Sequence, residues 1–125
     1  MRLLLDTHIV LWQLSGDRPL SDTVTEAVSD ADDLLFSSVS FAEIGIKAAA
    51  GELVVPAGLT QQVATSGLRV LNLSAAHGLA VADLPMHHRD PFDRLLIAQA
   101  LTEGLAVVTA DRRFAEYAIE VVYAG

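Results

Sequence analysis

Short apolar runs alternate along the chain with stretches of helical period, and the first run sets the frame for the rest. Leu3-Leu4-Leu5 is continuous rather than alternating, and it ends on Asp6-Thr7-His8. A run this short and this apolar suits a strand buried on both faces, at the centre of a parallel sheet. Ile9–Leu14 reads as a short helix, ended by Ser15-Gly16-Asp17 and Pro19. Ser21-Asp22 offers an N-cap for a helix over Thr23–Asp30. Leu34–Ser37 is a second buried strand, and Ser40 opens a helix through Ala50 that stops at Gly51. Leu53–Pro56 is an extended link, followed by a helix over Leu59–Thr65.

The second half repeats the pattern. Arg69–Leu73 is a third strand, and Ser74 caps a helix running toward Leu84-Pro85. Met86–Asp90 is a loop, Pro91 opens a strongly apolar helix to Glu103, and Gly104 ends it. Leu105–Thr109 is a fourth strand, Arg112–Tyr117 a turn of helix, and Ile119–Val122 a short last strand. Strands alternating with helices predict a parallel sheet covered on both faces. With no repeat, linker or low-complexity segment, a single α/β domain over residues 1–125 is expected.

Composition narrows the classes. The 125 residues carry 52% hydrophobic and 19% charged side chains, which excludes a disordered chain. The absence of cysteine rules out disulfides and thiolate metal sites and fits a reducing, cytoplasmic setting. Asp6 and His8 interrupt the first apolar run too early for a secretion signal, and no stretch is long enough to span a membrane. Sixteen acids against eight bases give a net charge of −8. That argues against a broad basic nucleic-acid face, but suits a basic protein partner or acids that hold divalent cations.

Four acids share one context. Asp6 ends the first strand, Glu43 lies near the start of the helix after the second, Asp93 lies in the first turn of the apolar helix, and Asp111 follows the fourth strand. Taken singly, capping accounts for several of them. Ser40-Phe41-Ala42-Glu43 fits a capping box, Asp90-Pro91 an N-cap with proline behind it, and Asp111 a cap for the turn at Arg112. Taken together they fall along one edge, because strand ends and the following helix starts meet there in a parallel sheet. Clustered carboxylates repel unless a cation neutralises them, and oxygen ligation is the habit of Mg²⁺ and Mn²⁺. Without a Walker-type loop or a G-x-S-x-G elbow, metal-assisted hydrolysis of a phosphodiester is the chemistry left.

Other residues carry weaker signals. Thr7 and Thr109 are hydroxyls placed to support the acids, and Asp90 is at most auxiliary. Lys47 stands four residues after Glu43, where a helix-surface ion pair is the plain reading and a phosphate contact the sharper one. Arg89, Arg94, Arg112 and Arg113 flank the acids as phosphate contacts. His87-His88 reads as a solvated loop, His8 as flanking or packing above the pocket, and Trp12 as core.

These motifs resemble the PIN-domain nucleases, and among them the VapC-type toxins of prokaryotic toxin–antitoxin pairs. The likeness rests on Leu3–His8, Ser37–Lys47, Asp90–Ala100 and Thr109-Ala110-Asp111, with the third the most specific. It implies a three-layer α/β/α sandwich around a mostly parallel sheet of four to five strands. It also implies an Mg²⁺- or Mn²⁺-dependent endoribonuclease with Asp6, Glu43, Asp93 and Asp111 as its metal-binding acids. Homodimers and a cognate antitoxin that wraps the toxin are implied as well. Alternatives are a PIN-like RNA-processing nuclease without an antitoxin, or an interaction module whose acids only cap helices. A haloacid-dehalogenase-type phosphatase would need an acid where His8 stands, and a receiver domain would need an acceptor Asp where Asn72 stands.

Overall fold

A computed structural model describes residues 1–124. Five strands form one sheet in the order β3-β2-β1-β4-β5, with every adjacent pair parallel. They are β1 (Arg2–Leu5), β2 (Asp33–Ser37), β3 (Arg69–Leu71), β4 (Ala106–Thr109) and β5 (Val121–Tyr123). The most apolar strand, β1, takes the central place, in register with both neighbours: Leu5 stands opposite Phe36 of β2 and Val108 of β4. Six α-helices connect the strands: α1 (Thr7–Ser15), α2 (Asp22–Asp30), α3 (Ser38–Ala49), α4 (Leu59–Thr65), α5 (Ala75–Ala80) and α6 (Pro91–Glu103). Short 3₁₀ turns cover Val81–Asp83 and Arg112–Glu116.

The period of two along each strand divides the core into two layers of packing. Leu3, Leu5, Phe36, Ala106 and Val108 point to one side, against Ile9, Val10, Val24 and Val63. Leu4, Leu35 and Val107 point to the other, against Leu96, Ile97, Ala100 and Phe114. The result is the expected three-layer α/β/α sandwich. Each fully buried leucine of β1 contributes about 1.5–3 kcal/mol of apolar burial, so this strand anchors both layers. No helix among the described residues is long and apolar enough to cross a membrane.

Several boundaries differ from the sequence expectation for local reasons. Helix α1 starts at Thr7 rather than Ile9, because Asp6 serves as its N-cap and accepts from Thr7 N–H at 2.7 Å. Strand β2 runs straight into α3: Ser37 is the cap, accepting from Val39 N–H at 3.0 Å, so Ser40 lies inside the helix. Strand β3 ends at Leu71 instead of Leu73. The helix capped by Ser74 tightens into a 3₁₀ turn after Ala80. Helix α6 spans the expected residues, ending where Gly104 adopts φ +68 and its N–H returns to Ala100 O.

Candidate active site

The carboxyl ends of β1 and β4, the first turn of α6 and the part of α3 that carries Glu43 and Lys47 open onto a cavity of about 710 Å³. Asp6, Glu43, Asp93 and Asp111 all line it, together with Asp90, Lys47 and Arg112. This is the edge at which parallel sheets place ligands. A second cavity, of about 560 Å³, lies at the opposite edge beside Arg2, Gly104 and Ala106 and gathers no comparable set.

The acids are fixed by a set of shared partners. Thr7 N–H donates to Asp6 Oδ1 at 2.7 Å, and Thr109 Oγ1–H donates to Asp6 Oδ2 at 2.8 Å. The Thr109 hydroxyl also accepts from Asp111 N–H at 3.0 Å, so one residue of β4 orients two acids. Thr7 Oγ1 lies 2.7 Å from both Glu43 Oε1 and Ser40 Oγ, and Lys47 Nζ donates to Glu43 Oε2 at 2.6 Å. Glu43 is thus no part of a capping box: it sits one turn inside α3, buried, with both oxygens held by side chains. Asp90 is the cap of α6, accepting from the N–H groups of Phe92 and Asp93 at 2.8 and 3.2 Å. Asp111 caps the 3₁₀ turn through Arg113 N–H at 2.9 Å and also pairs with the Arg113 guanidinium.

The electrostatics follow from burial first and crowding second. Burial, then the charges of Asp6, Asp90, Glu43 and Asp111, push the Asp93 carboxyl up to about 8. Burial likewise raises Asp6, although the Thr109 hydrogen bond, His8 and the Thr7 N–H pull the other way. Asp111 is also pushed up by burial, but its contacts with Arg113 outweigh this and leave it below the usual range. Lys47 is raised by its bond to Glu43. Two carboxyls held above their ordinary values inside a ring of further acids form a set of hard oxygen donors short of positive charge. Mg²⁺ or Mn²⁺ fits that donor set.

His88 overturns the expectation of a solvated loop. It is buried, its ring edge packs on Phe114, and its Nε2 lies 2.8 Å from Asp93 Oδ2 and 3.1 Å from Asp111 Oδ2. Its Nδ1 accepts from Asp90 N–H at 3.2 Å, which places the ring proton of the neutral form on Nε2. His88, Asp93 and Asp111 approach one another closely enough to suggest a metal triad. The tautomer argues against that: Nε2–H is a donor bridging two acids, not a free lone pair. His87 is exposed and rests on Tyr117.

Arg94 also departs from expectation. Its guanidinium is buried and donates to the carbonyls of Val81, Leu84, Pro85 and His88 and to Tyr117 Oη, so it is no phosphate contact. It holds the loop that carries His88. Arg89 is exposed outside the cavity, whereas Arg112, Arg113 and Lys47 line it. Lys47 makes the plain ion pair with Glu43 and still faces the cavity. Trp12 packs against the core, as expected, but is only half-buried and also forms part of the cavity wall, which His8 shares.

The sequence model of the PIN domain family matches residues 3–120, nearly the whole chain. The chain belongs to the PIN domain family. Among curated PIN relatives it is similar to Ribonuclease VapC22 of Mycobacterium tuberculosis (strain ATCC 25618 / H37Rv), 29% identical over 114 residues, covering 89% of this chain and 88% of that protein. Among solved structures it is similar to VapBC2 from Rickettsia felis bound to a DNA fragment from their promoter. There the TM-score is 0.73 at 15% identity, covering 100% of both chains. A toxin–antitoxin complex from Klebsiella pneumoniae gives a TM-score of 0.66 at 20% identity, covering 98% of each chain. The PIN assignment and the sandwich expected from the sequence therefore agree.

Proposed function

We propose that this PIN-domain chain is a metal-dependent endoribonuclease acting in the cytoplasm as the toxin of a toxin–antitoxin pair. The observation that carries the reading is the convergence of Asp6, Glu43, Asp93 and Asp111, from four separate elements, on one cavity in which burial, with the neighbouring acids, raises Asp93 to about 8. A purely capping role leaves that unexplained. Asp6, Asp90 and Asp111 do cap, but Glu43 and Asp93 cap nothing and are buried or half-buried at a cost. The relative named as a ribonuclease supports the chemistry, and the structural neighbours named as toxin–antitoxin complexes support the biological role.

Asp6, Glu43, Asp93 and Asp111 are the residues that would hold one or two Mg²⁺ or Mn²⁺ ions. When bound, such an ion would supply a Lewis acid for phosphoryl oxygens and make a bound water easier to deprotonate. The chain's own residues do the positioning. Thr7 and Thr109 each lock one oxygen of Asp6, and Thr7 and Lys47 lock the two oxygens of Glu43. His88 ties Asp93 to Asp111, with Arg94 fixing the loop behind it. Arg112, Arg113 and Lys47 supply the positive charge that a phosphate backbone needs in a chain otherwise strongly acidic. The net charge of −8 suits a basic antitoxin, and a homodimer assembled with that partner is the oligomer proposed.

The test is cleavage of total RNA by the purified chain with Mg²⁺ or Mn²⁺. Activity should vanish with EDTA and fall by about 10²-fold or more in Asp6→Asn. Activity indifferent to both changes would refute the site. A small basic protein is expected to be encoded beside this chain as its antitoxin, and co-expression with it should give a complex without nuclease activity. Failure to associate would remove the toxin role and leave the nuclease standing.

A further inference from the structure

Two aromatic rings line the acidic cavity, and an arginine covers each. Arg18 Cζ stands 4.1 Å from the centroid of the Trp12 ring, and Arg112 Cζ stands 4.4 Å from that of Tyr123. All four side chains line the cavity that holds Asp6 and Asp93. They come from unrelated parts of the chain: Trp12 from α1, Arg18 from the turn after it, Arg112 from the turn after β4, and Tyr123 from the end of β5.

Core packing accounts for only part of the rings. Trp12 packs against the core yet stays half-buried with a face on the cavity, and Tyr123 is likewise half-buried, whereas Phe36 and Phe114 fill the interior completely. Ion pairing does not account for the arginines. The other two bases of the cavity, Lys47 and Arg113, are bound to Glu43 and Asp111, but among the described residues neither Arg18 nor Arg112 forms a salt bridge. Four of the chain's eight bases gather in this one cavity, and two of those four are left on π-faces instead of on carboxylates.

We propose that Trp12 with Arg18, and Tyr123 with Arg112, form two nucleobase subsites that hold unpaired RNA bases on either side of the phosphodiester at the acids. The proposal rests on the ribonuclease reading above and adds how the substrate is gripped. A nucleobase stacked on an aromatic ring gains more than an exposed guanidinium does on the same ring, so the base takes the π-face. The displaced guanidinium then finds an adjacent phosphate, to which it binds in a bidentate fork. A base can reach such a ring only when it is out of a duplex stack. Because every base has a π-face, the two subsites select unpaired segments rather than a base identity.

Trp12 is the only tryptophan of the chain, so its emission reports directly on one subsite. The full chain is titrated in EDTA with a short oligouridylate and, separately, with an abasic ribose-phosphate oligomer of the same length. The oligouridylate should quench Trp12 and the abasic oligomer should not. With Mg²⁺ present, Trp12→Leu and Tyr123→Leu should each raise KM by about 5–100-fold with kcat changed by less than about threefold. Trp12→Phe and Tyr123→Phe keep a ring and should recover most of the loss, which a merely structural defect would not show. Oligouridylate that binds by anisotropy without changing Trp12 emission would overturn the proposal, as would no binding at all or a fall in kcat at constant KM. Quenching without hydrolysis would keep the subsites and sink the nuclease. Hydrolysis with KM unchanged in both leucine variants would do the reverse.

Discussion

Replacing Asp93 with asparagine should make the metal-free protein more stable. Two opposed effects act on this carboxylate. It lies in the first turn of α6, where the helix dipole favours a negative charge by about 0.3–1 kcal/mol. Against this stand burial and four neighbouring acids, which lift its pKa from 3.8 to about 8. At about 1.36 kcal/mol per unit, that rise sets a ceiling of about 5–6 kcal/mol, well above the dipole. Relaxation and the shared titration of the other acids divide it, leaving an expected gain of about 1–3 kcal/mol at pH near 8. The sign follows from proton counting. Between about pH 4 and pH 8 the folded state keeps a proton that the unfolded chain has released, so unfolding free energy falls as pH rises through that window. Below it both states are protonated and the penalty disappears. The amide introduced by Asp93→Asn would keep an oxygen to accept from His88 Nε2–H, so that bond is not the variable. Urea unfolding in EDTA, near pH 5 and near pH 8, should show the advantage of Asp93→Asn growing with pH. A variant less stable than wild type by about 1 kcal/mol at both values, or a difference independent of pH, would refute the reasoning and make Asp93 a dipole-stabilising helix residue.

Three further outcomes are expected. His88→Ala leaves Asp93 and Asp111 without their shared donor and should cost about 1–3 kcal/mol in the metal-free fold, with His88→Gln recovering part of it; an unchanged urea midpoint would mean the donor holds nothing. Arg94→Ala orphans several buried carbonyls and should cost about 3–5 kcal/mol, with Arg94→Lys a poor substitute; an unchanged melt combined with weaker RNA binding would restore the phosphate-contact reading. Mn²⁺ at about 100 times its wild-type Kd should raise wild-type stability by about 2.7 kcal/mol and Asp6→Asn by about 1.4 kcal/mol or less, as read by thermal melts; equal shifts in both proteins would place the ion elsewhere.

Much of the fold was legible because β1, β2 and β4 are apolar on both faces, and only the middle of a parallel sheet uses such strands. The acids were legible for a related reason: each stands at an element boundary, and parallel topology brings those boundaries to one edge. The misreadings concern a choice among neighbouring caps and contacts the sequence does not display. Ser37, Ser38 and Ser40 are all possible caps, and only the absence of a loop after β2 selects Ser37, which moves Glu43 one turn deeper without moving it off the edge. Arg94 follows Asp93 directly, yet one residue is about 100° around a helix, and its side chain turns toward the Val81–His88 loop instead of the cavity. His88 is buried by Phe114 and fixed by Tyr117, 29 residues away, whose hydroxyl accepts its backbone N–H. Trp12 needed Arg18 above it before its half-exposed place made sense.

The most direct test of the acidic centre is a calorimetric Mn²⁺ titration of the wild type, Asp6→Asn and His88→Gln. A carboxylate site built on Asp6, Glu43, Asp93 and Asp111 predicts at least about a tenfold loss of affinity in Asp6→Asn and a smaller loss in His88→Gln, which alters a contact that orients two acids but removes no ligand. Full binding by Asp6→Asn, with binding abolished in His88→Gln, would contradict it and move the metal to His88, Asp93 and Asp111.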